Sequence, residues 1–338
     1  MKTTALLSTA ALTICLSLGL GGCKEDRLTV KQTGYRGLGM VQINETAALD
    51  AITARNQPPD PIDPVEKSGT PSSQVYQNVK VLGDLDSNEL MRLMTAITQW
   101  VAPEQGCNYC HNPENLASDD LYTKVVARRM IQMTQHINAD WTKHVDGVGV
   151  TCYTCHRGHP VPANLWFSNS VAEAHGFFGY SPDAKNHPGS LIGLASLQND
   201  PFTKLLDYSQ EIRVIGNTAL PQEPERPSIK QTELTYGLMM HISKALGVNC
   251  TFCHNSRSFF AWDQSTPQRA TAWYGIRMVR DLNHNFLEPL KASFPPERLG
   301  AGGDVPKINC ATCHQGESKP LNGASMIKDF PELAVVGK

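Results

Sequence analysis

Four C-x-x-C-H segments, Cys107 to His111, Cys152 to His156, Cys250 to His254 and Cys310 to His314, constrain this 338-residue chain more than any other feature in it. Each reads as a c-type haem attachment site. Two thiols at that spacing reach the two vinyl groups of one porphyrin, and the imidazole that follows directly takes the iron. C-x-x-C pairs also hold tetrahedral zinc, but four copies, each with histidine directly after the second cysteine, argue for haem. The motifs use eight of the ten cysteines: Cys107, Cys110, Cys152, Cys155, Cys250, Cys253, Cys310 and Cys313. The remaining two, Cys15 and Cys23, fall in a leader, so none is left for a disulfide.

The leader has a basic start at Lys2, an apolar run from Ala5 to Leu20 and small residues before Cys23, the pattern of a secretory signal. Leu20-Gly21-Gly22-Cys23 has the form of a bacterial lipobox, which makes residues 1–22 a lipoprotein signal peptide and Cys23 the acylated N-terminus. An uncleaved transmembrane helix over the same run is the alternative. Either way the bulk of the chain faces the periplasm, where c-type attachment takes place.

With 41% hydrophobic residues, a mean hydropathy of -0.30 and 22 prolines, the composition fits a folded protein with long irregular stretches. The expectation is a mainly α fold with much irregular coil, a multihaem cytochrome c built from two pseudo-symmetric haem-pair halves. A formal charge of -2 excludes a strongly basic nucleic-acid surface. Four haems would add propionates, so basic protein carriers are the partners to seek.

Residues 23–71, with their run of prolines from Pro58 to Pro64, read as an extended N-terminal strap or a tether. Residues 72–163 hold the first two motifs and residues 228–320 the other two. Residues 164–227 form a connector, and 321–338 a C-terminal tail. The halves echo one another locally, Arg129-Met130 and His136 matching Arg277-Met278 and His284 at the same spacing. Four helices are expected. The first is capped by Asp86, with Glu89 completing a capping box, and carries the stripe Leu90, Met94, Ile97, Val101. The second runs from about Asp119 to His144, the third from about Glu233 to Leu246, and the fourth opens near Thr266 with Pro267 at its first position.

Each motif supplies one axial nitrogen, so the second axial ligand decides between electron transfer and ligand activation. Met94, Met130 and Met239 sit on apolar faces ahead of the first three motifs. Met133 and Met240 are runners-up. For the fourth haem, spacing leaves two candidates. His144 lies too far from Met130, about 21 Å along a helix, to share its iron, whereas Met278 is the repeat equivalent of Met130.

The four motifs, together with Val79-Lys80-Val81-Leu82-Gly83-Asp84-Leu85, Trp100-Val101-Ala102-Pro103 and the stretch from Gly149 to Gly158, make the chain resemble the tetrahaem cytochrome c subunits of purple-bacterial photosynthetic reaction centres. The resemblance implies four covalent haem c groups. Their axial pairs would be Met94 with His111, Met130 with His156, Met239 with His254 and His144 with His314. His136 and His284 would then hydrogen-bond rather than bind iron. The resemblance also implies a non-enzymatic electron carrier on the periplasmic face of the photosynthetic membrane, seated on the L and M subunits. Its third haem would lie nearest the special pair, and electrons would come from cytochrome c2 or a high-potential iron-sulfur protein. Glu104, Glu114, Asp119 and Asp120, around the first motif, form an acidic neighbourhood suited to a basic donor. A multihaem periplasmic reductase or quinol-oxidising cytochrome is the alternative class, and would need an open or low-potential haem.

Overall fold

The computed structural model describes residues 27–168, 189, 192–198, 200–216 and 227–334; the leader, including Cys23, lies outside them. Helices and coil dominate, as the motif and proline content implied, and the described residues contain one two-stranded sheet.

That sheet lies where no regular element was expected. Strands β1 (Leu28–Gln32) and β2 (Val41–Glu45) pair antiparallel, with Val30 opposite Ile43. The connection turns on Gly37 and Gly39, both at positive φ, where a residue without Cβ is unstrained. Helix α1 (Thr46–Arg55) follows at once.

Helix α2 (Ser87–Val101) is capped as its sequence implied: Asp86 accepts from the Asn88 amide at 2.9 Å and the Glu89 amide at 3.5 Å. Glu89 does not complete a box, because its carboxylate reaches Lys67 at 3.1 Å. The helix is apolar on two sides. Leu93, Ala96 and Trp100 are buried against the C-terminal segment, where the Phe330 ring meets Trp100 edge-on at 4.8 Å. The stripe read from the sequence, Leu90, Met94, Ile97 and Val101, instead faces an internal cavity.

Helix α3 (Tyr122–Asp140) is shorter than expected at both ends. Asp119 is drawn off to Lys80 and Arg128, each at 2.8 Å. At the other end the Trp141 indole donates to Asp281 at 2.8 Å, and the chain breaks there before the single turn Thr142–Val145. His144 therefore stands on a separate turn, not on the axis that carries Met130.

Helix α4 (Ile229–Leu246) starts four residues earlier than expected, at a Ser228/Gln231 capping box, and ends on left-handed Gly247. Helix α5 (Pro267–Leu282) begins with proline in the first turn and widens into a π-type turn over Asn283–Leu287. The buried Asn283 side chain holds the backbone of Ile308 there, at 2.9 and 3.1 Å. Helices α4 and α5 supply seven of the sixteen described buried residues of the larger core, among them Leu234, Leu238, Ile276, Val279 and Leu282.

Candidate functional site

The four motifs fold in two ways. In the first and third, the leading cysteine lies on a 3-10 turn, Gly106–Tyr109 and Cys250–Phe252, and the second cysteine caps its C-terminal end. An isolated β-bridge follows each, Asn112 with Asn115 and Asn255 with Ser258. The second and fourth are short α-helices, Cys152–His156 and Cys310–His314. Their caps, Thr151 with Thr154 and Asn309 with Thr312, form reciprocal boxes. Left-handed Arg157 and Gln315 end them.

Every motif histidine is oriented by its own backbone. Nδ1 of His111 donates to Leu116 O at 3.1 Å, of His156 to His159 O at 2.8 Å, of His254 to Phe259 O at 2.7 Å and of His314 to Glu317 O at 2.9 Å. A carbonyl oxygen only accepts, so Nδ1 carries the proton and Nε2 presents its lone pair, the arrangement of a metal-binding imidazole. Burial holds His156 and His254 below the usual imidazole range. Burial, with His144 beside it, brings His314 down to about 4. All three are neutral near pH 7, the form that ligates.

His144 is held in the same way, Nδ1 to Thr271 O at 3.0 Å, and burial again lowers its pKa. Its ring lies 6.0 Å from that of His314. The approach passes Gly275 of α5, where an added Cβ would lie 2.5 Å from the His144 ring. His136 has no nitrogen to spare: Nδ1 meets Asp140 and Nε2 meets Asp281, both at 2.6 Å. His284 donates through Nε2 to Asp207 O at 2.5 Å.

A connected cavity of about 1140 Å³ runs beside the first, second and fourth motifs. Cys107, Cys110, Cys152, Cys155, Cys310 and Cys313 line it, as do His111, His156, His314, His144, Met94 and Met130. Met278 and Met133 line it too. Met239 does not line it but packs partly buried against the larger core. Cys250, Cys253 and His254 lie outside that lining, which the third motif touches only through Phe252. Paired thiols, oriented imidazoles and thioethers around apolar space fit covalent haem c.

Three contacts order the motifs in space. The Gly158 amide, just past the second motif, donates to Trp100 O of α2 at 2.8 Å. Cys155 and Cys313 bring their sulfurs to 2.8 Å of one another. The Gly316 amide, just past the fourth motif, donates to Ala245 O of α4 at 2.8 Å, and α4 leads into the third. Gly247 is required at that junction, since an added Cβ would lie 2.0 Å from Gly316 O.

The sequence reading passed over Gly275 and Thr271. A glycine inside a helix, which costs about 1 kcal/mol relative to alanine, was the available signal for the first. Thr271 acts through its backbone carbonyl, which no residue identity announces.

The family model described as photosynthetic reaction centre cytochrome C subunit matches residues 24–334. The chain is 52% identical to the photosynthetic reaction center cytochrome c subunit of Rubrivivax gelatinosus, over 97% of this chain and 89% of that protein. It is 47% identical to the subunit of the same description from Thermochromatium tepidum, over 97% and 80%. Cytochrome c-554 of Chloroflexus aurantiacus is more distant, at 29% identity over 72% and 69%. With its oriented haem-binding motifs and these relatives, the chain belongs to the photosynthetic reaction centre cytochrome c subunit family, whose members are electron carriers and not enzymes.

Proposed function

We propose that this chain holds four haem c groups as a one-electron relay that re-reduces the photo-oxidised special pair of a reaction centre, seated on its L and M subunits. The observation that carries this reading is the pairing of His144 with His314, each with Nδ1 tied to a carbonyl and the rings 6.0 Å apart. Two imidazoles so presented would hold one haem iron between them. With Met94, Met130 and Met239 closing the other three, no position is left for a substrate.

Haem c supplies reversible one-electron exchange at iron. The chain's own residues fix the rest. Met ligation raises a haem potential and paired histidines lower it. The contacts between motifs support the order first, second, fourth, third. Two-fold pseudo-symmetry of the haem-pair halves is supported by the shared turn geometry of motifs one and three and of motifs two and four.

Electrons would enter beside the first motif, where Cys107 is exposed, from cytochrome c2 or a high-potential iron-sulfur protein. Glu104, Glu114 and Asp120 remain exposed there and suit a basic donor. Asp119 is committed within the chain to Lys80, Lys124 and Arg128. Acylation of Cys23 would hold the protein on the periplasmic face of the membrane.

A redox titration of the purified protein with spectra at each step tests the proposal. It should resolve three higher-potential components of methionine character and one bis-histidine component. Carbon monoxide binding by the reduced protein would reveal an open iron and favour a reductase.

A further inference from the structure

We propose that Lys124 sets the first haem apart from the other three, by gripping the carbonyl that orients His111 and so raising that haem's reduction potential. Leu116 O accepts from His111 Nδ1 at 3.1 Å and from Lys124 Nζ at 2.6 Å. The ammonium also donates to Ser118 O at 2.8 Å and has Asp119 Oδ1 at 3.7 Å, so three oxygens of this chain surround it. At the other motifs the corresponding carbonyls, His159 O, Phe259 O and Glu317 O, accept from their own histidine alone among the described residues. The third motif shows that the arrangement does not follow from the turn. There the Ala261 amide donates to Ser258 O as the Ser118 amide does to Asn115 O. Yet Arg269 Nη1 reaches Ala261 O, at 3.0 Å, and leaves Phe259 O to His254.

Helix formation does not call for a lysine here. Lys124 is 7% exposed in the first turn of α3, where a cation opposes the helix dipole and its burial demands partners. Burial, then Arg128, lower its pKa, and Asp119 opposes them. Three cations, Lys80, Lys124 and Arg128, surround the single carboxylate of Asp119, so this cluster is net positive. Two effects on the iron then share a sign. A carbonyl already engaged by an ammonium accepts less strongly from Nδ1, which makes the imidazole a weaker donor to ferric iron. The charge itself also favours the ferrous state, which carries one positive charge fewer. The path from Nζ to the iron-binding Nε2 is under about 10 Å, a range at which a unit charge in a protein-like dielectric is worth at least about a tenfold change in equilibrium. A first haem poised high accepts electrons readily from a soluble donor. Lys124 is thus a positioning residue, and its role rests on the reading of His111 as an axial ligand.

The test is redox titration of the purified holoprotein with spectra at each step, with Met94→His marking the component that belongs to the first haem. Lys124→Gln should shift that component's reduction equilibrium at least about tenfold towards the oxidised form, a fall of about 59 mV, and leave the other three in place. Lys124→Arg, which keeps the charge, should recover most of the shift. Asp119→Asn removes the opposing charge and should raise the same component. The proposal is overturned if Lys124→Gln leaves the first component unmoved or moves all four together, if Lys124→Arg shifts it as far as glutamine does, or if Asp119→Asn does not raise it. Should Lys124→Gln fail to load its haem, Asp119→Asn decides: a rise upholds the proposal and anything else overturns it. A wild type without four haems, or with no component that Met94→His lowers, defeats the axial assignment and this proposal with it. With that assignment intact, only the Lys124 and Asp119 shifts bear on the role of Lys124.

Discussion

The imidazoles of His144 and His314 face one another with centroids 6.0 Å apart and planes inclined at 74°. The two residues are brought together from different parts of the chain, one on the turn after α3 and the other ending the fourth motif. Each is fixed by a carbonyl at Nδ1, so the Nε2 lone pair of each is left free to bind a metal.

If this pair holds one iron, replacing His144 by methionine should raise the potential of one haem component and leave the other three in place. Met278→Leu should leave all four potentials unchanged. Spectroelectrochemical titration of both variants decides the matter; a shift in the Met278 variant with none in the His144 variant would reverse the assignment.

Gly275→Ala should act at the same haem without touching a ligand. Its Cβ would lie 2.5 Å from Cε1 and 2.8 Å from Nδ1 of His144, so the ring or α5 has to move. We expect a loss of about 1–3 kcal/mol in stability, and a change in the spectrum of the component that His144→Met affects. A variant with wild-type melting and wild-type spectra would show that the contact relaxes freely.

Phe330 is buried between Trp100 and the Arg92 guanidinium, which lies 4.1 Å from its ring centre. Phe330→Ala should cost about 3–5 kcal/mol, measured as a lowered thermal or denaturant midpoint. A change within experimental error would mean that the C-terminal segment is dispensable to the fold.

Asp119 carries a pH signature. The Lys80 hydrogen bond, opposed by desolvation and aided by Arg128, lowers its pKa from 3.8 to about 2. A carboxylate depressed by folding stabilises the native state above its unfolded pKa, and that contribution disappears as pH falls through the folded value. Asp119→Asn should therefore lose stability at neutral pH, by no more than about 1 kcal/mol for so accessible a cluster, and should flatten the acid profile between about pH 4 and pH 2. An unchanged acid midpoint, followed by circular dichroism, would remove Asp119 from the linkage.

The motifs and most of the helices were legible because both have short-range causes. A C-x-x-C-H unit is complete within five residues, and Asp86 and Pro267 announce helix starts by local chemistry, whereas the Ser228/Gln231 box that opens α4 was passed over. The two-sided character of α2 was half legible. Leu90, Met94, Ile97 and Val101 read as a core stripe, but they face the cavity, while Leu93, Ala96 and Trp100 meet a C-terminal segment far away in sequence. The break at Trp141 depends on Asp281, which no local pattern reveals. The hairpin escaped notice because each strand is only five residues long, with two apolar positions apiece, and is held by Gln42 and Thr33 against residues more than two hundred positions away.

Cys155 and Cys313 touch although 158 residues separate them. An excised fragment with only the first two motifs, or only the last two, would own one side of this seam. If the proposed relay holds, its continuity between the second and fourth motifs is a property of the closed chain, acquired when these two distant segments meet.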